Sequence, residues 1–234
     1  MSLKTRRSRK IALTAIFASL SAAFDSFPGL PQLVSGVWYS WIFMMEPLTG
    51  LILSPYTAFL ATLIGVMVGH TIYPRGGYEL LFTLGAPIGS LISGLMLRGR
   101  GKIVTFYFTL LLSAYFLTPV AWNLPIWGMW DTYIAFATLF IYNFLNLKRR
   151  RKDSDIANFA FCAFIGLEAD ILFRIFLFIP CQTYRFLFAF TVETLKVIWA
   201  AGAVVTPVQV ILSSLFSSVI TPQLQKILKS TRLS

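Results

Sequence analysis

Asp170 and Arg174 stand four residues apart in an apolar stretch. On a helix that spacing puts an acid and a base on one face, close enough to pair. Ionisable side chains cost at least ~2.5–3.5 kcal/mol each at the centre of a membrane helix. A pair retained there either neutralises itself as a structural bridge or serves a site. Glu168 is offset from Asp170 by roughly 160° around the helix axis, so one face cannot hold both acids. Glu46 lies within another apolar run and has no local partner, whereas Glu193 and Lys196 form an i, i+3 pair. Buried acids of this kind either hold a polar ligand or carry protons.

Aromatic residues give the second signal. Trp122, Trp127 and Trp130 fall within nine residues, beside Asn123 and Asp131, and Tyr184 follows later; Trp38, Tyr39 and Trp41 form an earlier group. Such rings serve either as a belt at the membrane surface or as walls that stack on a flat heterocycle. The candidate ligand-binding set is therefore Trp122, Asn123, Trp127, Trp130, Asp131, Asp170, Arg174 and Tyr184. Arg174 is expected roughly 28 Å from the inner end of its helix at 1.5 Å per residue, near the outer edge of a ~30 Å hydrocarbon core.

Other chemistries are missing. Gly101-Lys102 lacks the upstream glycine of a phosphate-binding loop, since Met96 stands there. There is no G-x-S-x-G or H-E-x-x-H. A single histidine, His70, excludes His-rich metal centres. Cys162 and Cys181 have no metal-type spacing, and no disulfide is expected between them. No catalytic, metal or cofactor site is predicted, and the chain is not expected to be an enzyme.

The elements that must position these residues are membrane helices. Of 234 residues, 57% are hydrophobic and 12% charged, against roughly 25% charged in soluble domains. No soluble fold of this size hides so much apolar surface. Soluble α/β enzymes, disordered chains and disulfide scaffolds are excluded. The sequence predicts an all-α, polytopic membrane helix bundle. Its expected spans are 11–27, 35–53, 55–73, 79–97, 103–121, 131–147 and 155–179. Ser54-Pro55 forms a cap-plus-proline boundary between the second and third. The apolar segment 183–205 is either a further span, with 207–228 then interfacial, or an outer lead into one long last helix. Thr206-Pro207 and Thr221-Pro222 predict that this last helix is kinked or segmented.

The net charge of +11 does not point to nucleic acid. Most Lys and Arg fall in four clusters, at 1–10, 98–102, 148–152 and 226–232, each beside an apolar span. That is the arrangement of cytoplasmic flanks. All four face one side only with an even number of crossings, which selects eight from a range of six to eight. The expected organisation is a basic cytoplasmic N-terminus at 1–10, one transmembrane domain at 11–228 and a cytoplasmic tail at 229–234. The first helix is expected to be retained rather than cleaved as a signal peptide.

Small residues form stripes. Gly65 and Gly69 make one GxxxG, Gly85 and Gly89 another, and Ser90 and Gly94 extend it. These let helices approach closely in lipid, either within the chain or against a partner.

Several stretches resemble the substrate-binding (S) component of energy-coupling factor transporters. These are the Ala-rich run 11–23 after a basic start, an outer loop with Pro28, Gly29 and Pro31, and Glu46-Pro47-Leu48-Thr49-Gly50 leading to Gly65 and Gly69. Leu84-Gly85-Ala86-Pro87-Ile88-Gly89-Ser90 and Pro207 also match. Glu46 stands where the family often has glycine, and eight helices exceed its usual six. The resemblance implies a subunit that captures a vitamin or similar small nutrient at its outer side. It would dock on a transmembrane coupling subunit driven by two ABC ATPases. The docking face would carry Ala15, Ala18, Ser19 and Ala22; plain packing within the chain is the other reading. A self-contained proton-coupled transporter and a non-catalytic assembly protein are the alternative functions.

Overall fold

The computed structural model describes residues 3–29, 40–75, 79–145 and 156–230. Every regular element among them is helical. In chain order these are α1 (Leu3–Ser26), α2 (Ile42–Ile52), α3 (Pro55–Ile72), α4 (Glu79–Thr83), α5 (Gly85–Leu97), α6 (Gly101–Leu117), α7 (Trp130–Leu145), α8 (Ile156–Phe178), α9 (Thr183–Phe186) and α10 (Val192–Ser230). Three stretches are long and apolar enough to cross a membrane: Pro55–Ile72, Glu79–Leu97 and Val192–Ser230. The outward faces are greasy. Leu60 and Ile64 on α3, Phe106 and Leu110 on α6, and Val204 and Ile211 on α10 are all more than half exposed. Contiguous apolar faces of this kind suit lipid and not water.

Close approach organises the interior. A Cβ on Gly65 would strike Ser21 and the carbonyl of Ala18, so glycine is what lets α3 lie directly on α1. At Gly166 a Cβ would strike Ser93 and the Gly89 carbonyl, which seats α8 on α5 in the same way. Buried hydroxyls bind across these seams. Thr62 and Ser90 are 2.7 Å apart, and Ser90 Oγ donates to the Glu46 carbonyl at 2.7 Å.

One end of the bundle is basic. Arg9 donates to the Leu228 carbonyl at 2.8 Å, joining the start of α1 to the end of α10. Arg98 donates to the Gly94 and Leu53 carbonyls, closing the ends of α5 and α2. The cluster at 148–152 lies outside the described residues.

One boundary differs from expectation, one open alternative is resolved, and one expected interruption is absent. The fifth helix stops at Leu117 rather than near 121, because Thr118-Pro119 starts a 3-10 turn (Pro119–Asn123) followed by a second (Ile126–Met129). Of the two readings of 183–205, the structure has the second, an outer lead into one long last helix. The segment contains the single turn α9 and the beginning of α10, a continuous 39-residue helix, about 58 Å long at 1.5 Å per residue. And α10 is neither broken nor segmented at Pro207 or Pro222.

The reason at Pro207 is specific. Proline has no N–H, which leaves the carbonyl four residues earlier without its helical partner. That carbonyl, on Ala203, receives the indole N–H of Trp130 at 2.9 Å. Pro47 inside α2 is treated alike. Its orphaned carbonyl on Phe43 receives the hydroxyl of Ser213 at 2.6 Å. Neighbouring side chains thus restore what proline removes, as an apolar medium requires.

Candidate functional site: a cavity at the end opposite the basic residues

A cavity of about 200 Å³ lies at the other end of the bundle. It is bounded by the end of α1, the starts of α2, α4 and α7, the last turns of α8 and the first half of α10. Charged residues meet there from separate elements. Asp25, on the last turn of α1, accepts hydrogen bonds from Ser40 at 2.9 Å and from Arg75 Nη2 at 2.5 Å. Arg75 Nε is 3.7 Å from Glu79 Oε1. Side chains of Asp25, Arg75 and Glu79 are almost fully buried, yet Glu79 Oε2 has no hydrogen-bond partner.

On α8, Arg174 grips Asp170 with two bonds, Nε to Oδ1 at 2.6 Å and Nη2 to Oδ2 at 2.7 Å. This is the strong, bidentate form of an arginine–carboxylate pair. Room for it exists because residue 85 is glycine: a Cβ there would collide with Asp170 Oδ1. Asp131, at the start of α7, accepts from Thr206 Oγ1 on α10 at 2.5 Å and from the Thr132 N–H at 3.0 Å. Thr132 turns its hydroxyl the other way, donating to Glu168 Oε2 at 2.9 Å. Glu168 Oε1 and both carboxylate oxygens of Glu46 are buried without hydrogen-bond partners.

Aromatic rings supply the remaining wall. Phe178 meets Phe82 at 5.7 Å and Phe188 at 5.8 Å, and lies parallel to Trp199 at 6.4 Å. Phe188 and Phe190 stack on each other at 5.3 Å. Between them Ala189 takes φ of 52°, in the left-handed region. That conformation is costly for a residue with a Cβ, by roughly 1–2 kcal/mol. It turns the chain so that residues 188 and 190 both line the cavity.

Of the sequence-derived set, Asp131, Asp170 and Arg174 line this cavity. The others stand elsewhere. Trp122 and Trp127 are 72% and 57% exposed. Trp122 donates to the Phe116 carbonyl and Asn123 to the Pro119 carbonyl. The two 3-10 turns direct these side chains outward, where rings serve as a surface belt. Trp130 caps Ala203 as described, and Tyr184 is buried with its ring 6.3 Å from that of Phe178. Trp38 and Tyr39 lie outside the described residues. Glu193 and Lys196 pair at 2.9 Å on the surface.

The cavity residues that the sequence left unmarked are Asp25, Arg75, Glu79 and Trp199, with Phe188 and Phe190. Each is the contribution of one element, and only tertiary packing groups them. The Phe-x-Phe alternation at 188–190 was the one local hint.

The small-residue face of α1 is divided. Ala18 and Ala22 are buried against Gly65 and Gly69 of α3, so they are contacts within the chain. Ala15 and Ser19 are exposed. Cys162 is buried, its thiol donating to Asn158 Oδ1 at 3.9 Å, and Cys181 is exposed.

No protein-family model matches this chain, and neither curated proteins nor solved structures yield a match.

Proposed function

We propose that this is the substrate-capture subunit of an energy-coupling factor uptake transporter, a binding protein and not an enzyme. It would cross the bilayer eight times with both termini cytoplasmic. In that orientation the basic end faces inward and the cavity outward. The observation that carries this reading is the cavity itself, a small-molecule space with aromatic walls and a few fixed polar groups, the usual make-up of a ligand site. The resemblance of the first hundred residues supports the energy-coupled version. Docking on a transmembrane coupling subunit with ABC ATPases would then use the exposed remainder of α1, around Ala15 and Ser19.

The test is gentle purification from a native membrane followed by native mass spectrometry. A retained nutrient-sized molecule together with copurifying ATPase subunits is the expected result. A chain that carries neither overturns the reading. One observation favours a second reading, the proton-coupled transporter: Glu46 and Glu168 are fully buried, and three of their four carboxylate oxygens accept no hydrogen bond. Uptake driven by a pH gradient in vesicles containing only this chain would establish it.

A further inference from the structure

We propose that the cavity takes a small organic cation, an amine or cationic nitrogen heterocycle of about one ring in size. This rests on reading the cavity as the ligand site. Four carboxylates line it, those of Asp25, Glu79, Asp131 and Asp170, against two guanidinium groups, Arg75 and Arg174. Both guanidinium groups already pair with a carboxylate, although Arg75 Nε itself makes no hydrogen bond. Arg75 holds Asp25 at 2.5 Å, and Arg174 holds Asp170 through two bonds. Two acids are left over. Glu79 has the 3.7 Å approach of Arg75 Nε and a longer-range attraction from Arg174, but its Oε2 has no hydrogen-bond partner although the residue is 5% exposed. Asp131 is 4% exposed, and its hydrogen bonds come from a hydroxyl and a backbone N–H, both neutral.

Glu46 and Glu168 add to this excess from behind the wall. Apart from Glu193, every described acidic residue is at the cavity or directly behind it. Buried charge is retained where something compensates it. Here the compensation inside the chain falls short by two at the cavity surface.

The aromatic wall makes the same selection. The faces of Phe and Trp rings are electron-rich and attract cations, most strongly when water is excluded. Phe82, Phe178, Phe188, Phe190 and Trp199 all line the space. A carboxylate or phosphate ligand would meet electron-rich rings, two surplus acids and arginines that each already hold a carboxylate. Volume limits the size. An apolar cavity of about 150 Å³ holds one benzene ring, and this one measures about 200 Å³.

The test uses the full chain in lipid nanodiscs and isothermal titration with three probes of similar shape: benzyltrimethylammonium, benzyl alcohol and benzoate. The cation is expected to bind at least tenfold more tightly than the other two. Glu79→Gln and Asp131→Asn should each reduce its affinity at least tenfold and leave benzyl alcohol unaffected, with folding checked by thermal melt. If either variant fails to fold, the ranking of the three probes on the unaltered protein decides alone. Equal binding of benzyl alcohol would mean that the surplus acids are protonated, and it overturns the proposal. So does tighter binding of benzoate, and so does a failure of all three to bind. In each of these cases the capture-subunit reading is judged separately, by whether ATPase subunits and a retained molecule copurify.

Discussion

The two ends of this bundle solve opposite problems. Towards the basic end, helices touch backbone to backbone through glycine and small hydroxyl residues. Gly50 lies against the Ser90 carbonyl, and Gly94 against the Gly50 carbonyl. Towards the cavity end, glycines meet long side chains instead of backbone alone, Gly85 against Asp170 and Gly128 against Trp199, and two arginines, four lining acids and a group of large rings surround the space. The first arrangement is dense and leaves little room to vary. The second spaces the helices apart, and the space is the cavity. A helical bundle can therefore open a cavity by changing side-chain size along its length. In lipid, tight seams are what make this affordable, since association there relies on packing and hydrogen bonds.

The sharpest way to break the comparison is Gly65→Leu. It should force α1 off α3 and cost about 3 kcal/mol, the upper part of the usual range for overpacking. Size-exclusion chromatography in mild detergent would show aggregated or absent monomer. A normal monomer peak would mean that the seam is looser than the geometry implies. At the other end, Arg174→Gln leaves Asp170 without its partner. Breaking a buried pair costs about 3–5 kcal/mol. The Arg174 side chain is 30% exposed, so the expected loss is nearer 2 kcal/mol after allowing for solvent screening. A thermal melt should show a lowered but still cooperative transition. Asp170→Asn combined with Arg174→Gln should recover part of the loss, because no lone charge remains.

Ser213→Ala leaves the Phe43 carbonyl of α2 without its hydroxyl donor. An unsatisfied buried acceptor costs about 1–3 kcal/mol, and urea or thermal denaturation should report a value near 1 kcal/mol. The smallest effect on stability belongs to Ala15→Trp, on the exposed face of α1, which should fall within about 0.5 kcal/mol of the parent. Its use is functional. If α1 docks a coupling subunit, this variant keeps ligand binding and loses transport. Ala18→Trp cannot make the same distinction, because it strikes α3 and disturbs the fold first.

Much of the helical layout was legible from the chain. Ser54-Pro55 marks a true boundary, and residues 79–97 form one apolar stretch divided only at Leu84. The Asp170–Arg174 pair was legible because its spacing is local. The Asp25–Arg75–Glu79 group was not, since Asp25 and Arg75 are 50 residues apart in sequence and neither carries a pattern. The tryptophans of 122–130 stand off the cavity for a related reason. Clustering along a loop says nothing of which way a 3-10 turn will point each ring. Likewise, a Thr-Pro pair announces a lost helical bond at Pro207 but not the indole, 73 residues away, that replaces it.

The Ser213–Phe43 bond spans 170 residues, and this bears on how the chain is made. When α2 is made, the carbonyl that Pro47 frees has no Ser213 donor, because α10 has yet to leave the ribosome. Until the last helix arrives, that oxygen must be hydrated or held by a transient neighbour such as an insertion factor. That oxygen gains its lasting donor only when the C-terminal helix docks, so the first half of the bundle is completed by the last element to be made.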